Sequence, residues 1–302
     1  MYDLVIIGAS AAGMSAAIYA SRSGLKFLVV SENIGGNAAK AGLMENYMGF
    51  SSISGLELAK KFEEHFRSNS PEVVLGKVSE LTKKGEGFLI KINDKEYETK
   101  TVIIASGARY KKLEIPGEKE FSNKGVSYCE TCDGPIFKGK NVAVVGGGNS
   151  ALKAALSLSL IANKVYILTI GEVIKGEKTQ IDKIKKLGNV ETIHQAKTLE
   201  FFGGSLLNSI LYKDLASGKE KEIQVEGAFI YVGLTANTDF IDKNLGVLDK
   251  KGEVVTDKFG KTRVPGLFAA GDVTDLPYRQ ISIASGAGTI ALLSALDYLT
   301  EK

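Results

Sequence analysis

"YDLVIIGASAAGMSAAIYASRSGLKFLVVSE" (residues 2–32) and "KNVAVVGGGNSALKAALSLSLIANKVYILTI" (residues 140–170) align without a gap. Each opens with an apolar, β-branched run of the kind that lies buried on both faces of a parallel sheet. A glycine-rich turn follows, then an Ala/Leu/Ser helix with small residues on its inner side, then a second apolar strand. That order is the strand–turn–helix–strand of a dinucleotide-binding unit. One G-x-G-x-x-G match is weak. Two in this context, in one chain, are much stronger.

The two turns are not equivalent. In Gly8-Ala9-Ser10-Ala11-Ala12-Gly13 the middle glycine of the fingerprint is Ser10. Gly8, Ala11 and Gly13 are then expected to present backbone to a pyrophosphate, with the Ser10 hydroxyl as a further donor. Glu32 ends the next strand, where an acid can accept from ribose hydroxyls. The second turn fits G-x-G-x-x-A fully, with Gly146, Gly148, Asn149, Ser150 and Ala151 as its expected binding residues. Its strand ends at Thr169-Ile170-Gly171, with no acid at the matching point.

Composition narrows the class. At 44% apolar and 24% charged in 302 residues, the chain is long enough for two ordinary globular domains. Glycine is high at 34 and proline low at 5, which suits tight turns rather than a disordered linker. The net charge of +3 has no basic block behind it, so nucleic acid is not expected as a partner. Residues 4–20 and 281–296 carry no charge, yet glycine interrupts both. Both runs are short of the ~20 apolar residues a membrane span takes, and an acid, Asp3, stands where a signal peptide is basic. No membrane association and a cytoplasmic location are expected.

The tail "VPGLFAAGDVTDLPYRQISIASGAGTIALLSALDYL" predicts a strand over 264–270, a turn at Gly271-Asp272 and a helix over 281–299. It resembles the closing motif of two-dinucleotide flavoprotein reductases. In them the aspartate, here Asp272, binds a ribityl hydroxyl of FAD. "TVIIASGAR" resembles their other linker signature, with Ala105-Ser106-Gly107 where A-T-G is usual. The expected fold is α/β: two Rossmann-like dinucleotide-binding domains, the second inserted in the first, of the FAD/NAD(P)-linked disulfide reductase type. Residues 1–112 and 238–302 form the expected FAD domain and 113–237 the insert. Alternating polar and apolar residues over 72–99 and 189–232 predict antiparallel strands in each.

"YCETCDGP" (residues 128–135) holds the only two cysteines, Cys129 and Cys132. Zinc needs about four ligands, and only His65 and His194 remain, without motif spacing. His65 is expected on the surface of a helix and His194 on an exposed strand. A buried structural pair is the bland alternative, though Asp133-Gly134-Pro135 is turn chemistry. A redox dithiol at a helix N-terminus is the other reading, since the helix dipole favours a thiolate there.

C-x-T-C-D-G, followed by F-K-G-K and V-G-G-G-N-S, resembles low-molecular-weight thioredoxin reductase. It also resembles the thioredoxin-reductase-like part of the alkyl hydroperoxide reductase flavoprotein. That flavoprotein carries an additional N-terminal thioredoxin-like domain; with the first strand opening at Tyr2, the thioredoxin reductase arrangement is expected. The resemblance implies that Cys132 lies against the flavin, Cys129 exchanges with the protein substrate and Asp133 is the acid/base. It places Gly35, Gly36, Asn37 and Asn46 on the flavin-side loop, with Arg279 and Gln280 near the flavin N1–O2 edge. It implies hydride transfer from reduced nicotinamide to FAD, then reduction of Cys129–Cys132 and of a thioredoxin-like protein. It also implies a homodimer, and an inserted domain that rotates about crossings near Leu113 and Asn237.

The chain departs from the family at the second strand. NADPH-using members follow it with H-R-R-x-x-x-R; here those positions are Thr169, Ile170, Gly171 and Lys175. Bidentate phosphate capture is lost and one charge survives in Lys175. The acid of NADH-using relatives is missing too, with Glu172 nearby. Two donors are therefore expected as alternatives: NADH or NADPH on the intact turn, or neither, with electrons from ferredoxin or another flavin. The lysine-rich "KGEKTQIDKIKK" reads as a solvated helix face on which an acidic ferredoxin could dock. A ferredoxin–nicotinamide reductase of the same fold would lack the cysteine pair, and a non-enzymatic flavin-binding protein would pass no electrons to it.

Overall fold

The computed structural model describes residues 1–41 and 43–301, so Gly42 of the flavin-side loop and Lys302 lie outside the description. The chain divides into two compact units, Met1–Arg109 with Thr235–Lys302, and Tyr110–Leu234 between them.

In the first unit, four parallel strands run side by side: Glu72–Leu75, Phe27–Ile34, Tyr2–Ala9 and Lys95–Ile104. Leu267–Ala269 adds a fifth, parallel to the last. Gly87–Ile92 and Val78–Lys84 extend the sheet antiparallel. Val5, Ile6, Val29 and Ile103 are fully buried, as strands covered on both faces must be. The region 72–99 is therefore only partly the antiparallel set expected. Glu72–Leu75 joins the parallel sheet because it returns from the helix Gly55–Ser68, completing a strand–helix–strand crossover. Ser54 caps that helix by accepting from the Glu57 N–H, and His65 lies exposed on it.

The C-terminal helix, Ile281–Thr300, runs beyond the uncharged stretch of sequence. Among the described residues it is the one helix long and apolar enough to cross a membrane. One side packs on the helix Ala11–Arg22 so closely that a Cβ on Gly288 would lie 2.0 Å from the Ala12 carbonyl oxygen. Its other side exposes Ile283, Ile290 and Leu293. On this unit's side of the chain crossings, the Ser106 hydroxyl donates to the Asn237 carbonyl at 2.7 Å. The Asn237 amide returns a bond to the Ser106 carbonyl at 2.9 Å, and Arg109 pairs with Asp239. Asn237, expected at a hinge, is thus bonded within the first unit.

The second unit is a five-stranded parallel sheet in the order Val126–Ser127, Gly227–Ile230, Asn141–Val145, Lys164–Leu168, Val190–Ile193. A separate antiparallel sheet comprises Ala196–Gly203, Leu207–Asp214 and Glu220–Gln224. So 189–232 is antiparallel only at its centre; its ends feed the parallel sheet. His194 is exposed, but in the turn after Val190–Ile193 rather than in a strand.

Candidate active site

Two features share the C-terminal edge of the second unit's parallel sheet, the edge at which open α/β sheets bind ligands. One is the glycine turn after Asn141–Val145. The other is the cysteine turn after Val126–Ser127. Cys129 and Cys132 are joined by a disulfide, with Cα atoms 5.3 Å apart. Glu130–Asp133 forms one helical turn whose N-cap is Cys129, and the Cys129 Sγ accepts from the Cys132 N–H at 3.2 Å. The same N–H would hold a thiolate at Cys129 once the disulfide opened. Cys132 is the exposed member of the pair and Cys129 is half-buried.

The turn is held by side chains that local sequence does not flag. Ser127 donates to the Asp133 carboxylate at 2.6 Å and accepts from the Cys129 N–H at 3.0 Å. Asp133, the expected acid/base, is thereby linked through one hydroxyl to the first cysteine's backbone. Tyr128 donates to Glu118 at 2.7 Å; Glu118 is buried and also accepts from the Leu113 and Glu114 N–H groups. On the other side, the Tyr231 hydroxyl donates to the Glu130 carboxylate and accepts from the Glu130 N–H at 3.2 Å. Burial first, then the neighbouring carboxylates, push both phenols well above their ordinary range. They remain protonated donors at any working pH. Tyr110 meets the Tyr231 ring edge-on at 5.6 Å.

The cleft over the second glycine turn has a volume of about 680 Å³. A Cβ on Gly146 would lie 2.2 Å from the Tyr231 carbonyl oxygen, and one on Gly147 2.3 Å from the Thr169 hydroxyl. One on Gly148 would meet nothing within 4 Å. That is the opening a pyrophosphate needs beside the first turn of the helix Asn149–Ser159, which no side chain caps. Lys175 lies in the cleft wall, its N–H donating to the Gly147 carbonyl at 2.8 Å. Asn149 is used structurally, its side chain accepting from the Glu177 N–H at 2.7 Å. Thr198 lines the cleft, and its hydroxyl is buried without a partner among the described residues. Lys175 and Lys197 are the charged side chains in the lining; no carboxylate is there. From Tyr110 to Leu234 every basic residue other than His194 is lysine. The residues suit a nucleotide's pyrophosphate and supply no guanidinium for a 2′-phosphate.

In the first unit a Cβ on Gly8 would lie 2.1 Å from the Ala105 oxygen, and one on Gly13 1.8 Å from the Gly8 oxygen. The first and third glycines of the turn are therefore fixed by close packing, and Ala105 by its part in it. Ser10 differs from expectation: its hydroxyl donates to the Gly35 carbonyl at 2.7 Å. The proton foreseen for a phosphate is spent on tying the loop at Gly35 to the turn. Ala11 begins the helix, and no side chain caps its first turn. Glu32 is exposed on Phe27–Ile34, two residues short of that strand's end. Gly35 and Gly36 both have positive φ, at 92° and 53°, and Gly107 has 66°. The Asn37 amide donates to the Ala108 carbonyl at 2.6 Å.

Asn46 and Gln280 come together, the Asn46 amide donating at 3.3 Å. Arg279 pairs with Glu253, and its Nε is buried without a partner among the described residues. Gly271, at φ 80°, packs on Ala12. Beside it, burial raises the Asp272 carboxyl above its ordinary range, opposed by the Arg279 charge. The open helix start, the orphaned Arg279 Nε and the half-buried Asp272 together fit the FAD implied by the tail motif. Because the folded-state pKa of Asp272 is raised, its contribution to stability is present below the unfolded value of about 3.9 and lost as pH rises through the folded value. Asp272→Asn is therefore expected to raise the melting temperature of flavin-stripped protein at pH ~7, the gain vanishing near pH ~3.5. An equal gain at both pH values would remove this account.

The family model described as pyridine nucleotide-disulphide oxidoreductase matches residues 2–289. Over 99% of its length the chain is 40% identical to the "NADH dehydrogenase" of Bacillus subtilis (strain 168), spanning 58% of that protein. It is 39% identical to an alkyl hydroperoxide reductase component from Xanthomonas campestris pv. phaseoli, again over 99% of its own length and 57% of that protein's. The chain thus covers less than two thirds of these curated relatives. Among solved structures, Lactococcus lactis thioredoxin reductase aligns over all of both chains with a TM-score of 0.96 and 36% identity. T. acidophilum thioredoxin reductase, 43% identical, aligns over 99% of this chain and 98% of its own at 0.92. A ferredoxin-flavin thioredoxin reductase from Clostridium acetobutylicum, 29% identical, covers 100% and 99% at 0.55.

Proposed function

Since the chain belongs to the pyridine nucleotide-disulphide oxidoreductase family, we propose that it is an FAD-dependent protein-disulfide reductase of thioredoxin reductase type. The Cys129–Cys132 disulfide, closed on a helical turn beside Asp133, is the observation that carries this reading. FAD, when bound, would supply the two-electron chemistry between donor and disulfide. Asp272, Arg279 and the turn at Gly8 would hold it. The disulfide accepts two electrons, and Asp133, held by Ser127, moves a proton to or from the sulfur that leaves. The Cys129 thiolate, steadied by the Cys132 N–H, then exchanges with a disulfide on a thioredoxin-like protein through a mixed disulfide.

For the donor, the open face at Gly148 and the uncapped helix start support a nicotinamide dinucleotide bound by its pyrophosphate. The lack of arginine in the second unit and the carboxylate-free cleft lining support the second reading, in which ferredoxin or another reduced flavin feeds the same disulfide. Anaerobic absorbance of the yellow protein separates them. Bleaching by NADH or NADPH assigns the nucleotide; bleaching by reduced ferredoxin but by neither nucleotide, with thiols appearing at Cys129 and Cys132, assigns the other donor. A protein that takes up no FAD would end both readings. The exposed Ile283, Ile290 and Leu293 support a homodimer through the C-terminal helix, and a sedimentation mass of 32.3 kDa rather than twice that would remove it.

A further inference from the structure

The residue after Cys129 is a glutamate, and its carboxylate and its backbone N–H are both bonded to one phenol, Tyr231. That phenol is anchored, since the Tyr231 N–H donates to the Val145 carbonyl at 2.7 Å and its ring is buried. A flexible glutamate in a surface turn would ordinarily turn outward and be screened by water. Here its backbone is part of the ring closed by the two sulfurs and its carboxylate is held on the Tyr231 hydroxyl. The disulfide is neutral, whereas the reduced pair carries a thiolate once the pH passes the ordinary thiol value of about 8.5. A fixed carboxylate one residue away disfavours only the reduced form.

We infer that Glu130, held by Tyr231, is a positioning residue that makes the Cys129–Cys132 dithiol a stronger reductant. The inference rests on the disulfide-reductase reading above and adds the residue that sets the pair's redox poise. Reduction breaks the Sγ–Sγ bond with two electrons and one or two protons, and the carboxylate raises the free energy of the one-proton product. Asp133 and Glu118 are the other carboxylates bonded into the turn, through Ser127 and Tyr128, and neither bonds to Glu130. Two unit charges roughly 7 Å apart interact by about threefold in an equilibrium constant at the dielectric of water and by about fiftyfold at an effective dielectric of ~20.

The test equilibrates flavin-loaded protein with mixtures of dithiothreitol and its cyclic disulfide at pH ~10, where an ordinary thiol is almost wholly ionised. Dithiothreitol loses two electrons and closes to its ring as the Cys129–Cys132 bond opens. Glu130→Gln keeps an acceptor for the Tyr231 hydroxyl and removes the charge. It is expected to move the equilibrium toward dithiol by about three- to twentyfold. Tyr231→Phe keeps the charge and releases it to solvent, so it is expected to shift in the same direction by less. Glu130→Gln within ~1.5-fold of the parent, or a shift in Tyr231→Phe alone, would overturn the inference. The equilibrium is read from free thiols and needs no flavin turnover. A dithionite titration that fills only the flavin would therefore sink the disulfide-reductase reading without deciding this one.

Discussion

Cys132→Ser protein is expected to fold and take up FAD while losing at least about a thousandfold of its turnover with a thioredoxin-like disulfide. The structural cost is small by comparison. A disulfide spanning so short a loop constrains the unfolded chain by about 2 kcal/mol in the entropy model, and the Val126–Ser127 strand and its Tyr128–Glu118 bond remain. A fall in rate that far exceeds the fall in stability separates chemistry from scaffolding. Retention of more than a tenth of the parent rate would remove the disulfide from the electron path. The same variant also tests the division of labour. The resemblance gives the exchange with partner to Cys129, whereas Cys132 is the more exposed residue. A mixed disulfide trapped in Cys132→Ser but not in Cys129→Ser assigns the exchange to Cys129, and the reverse assigns it to Cys132.

The second large effect is expected at Gly8. Its φ of +118° lies where a β-branched residue is strained, and a side chain there would meet the Ala105 oxygen at 2.1 Å. That oxygen belongs to the backbone between two packed strands, so it has nowhere to go. Gly8→Val is expected to cost more than about 4 kcal/mol and to yield protein without flavin, read by urea unfolding and by absorbance. Gly148→Ala is the contrast. With φ at −99° and open space around its Cβ, it should unfold with the parent and lose only affinity for a nucleotide in the second cleft. A Gly8→Val protein as stable as the parent would contradict the packing described for this turn.

The two glycine turns and the tail motif were legible because their meaning is local. Tight turns and close helix–strand approaches demand glycine at fixed spacing, and buried parallel strands demand unbroken Val/Ile/Leu runs. The cysteine pair was legible for the same reason. Strand direction was not: Glu72–Leu75 and Val190–Ile193 are short, and alternation alone does not say which way a neighbour runs. The Ser10 hydroxyl escaped a local reading because its acceptor, the Gly35 carbonyl, is supplied by another loop. Ser127 and Glu130 stand within three positions of a cysteine, yet nothing in their own neighbourhood names the partners they bond. Tyr231 carried none, since its bond to Glu130 spans 101 positions of sequence.

The order of the chain makes the first unit late to assemble. Leu267–Ala269 and Ile281–Thr300 must reach strands and helices laid down before Arg109, with the whole Tyr110–Leu234 unit in between. On the ribosome the amino-terminal segment waits with one sheet edge uncovered and with Ala12 bare of the Gly288 contact. The intervening unit, whose parallel sheet is complete within itself, can fold during that wait and bring the two crossings together. What would have been a long loop to close becomes a short one, and the entropy of closure falls with it. Destabilising the inserted unit is then a way to lower the yield of the other one.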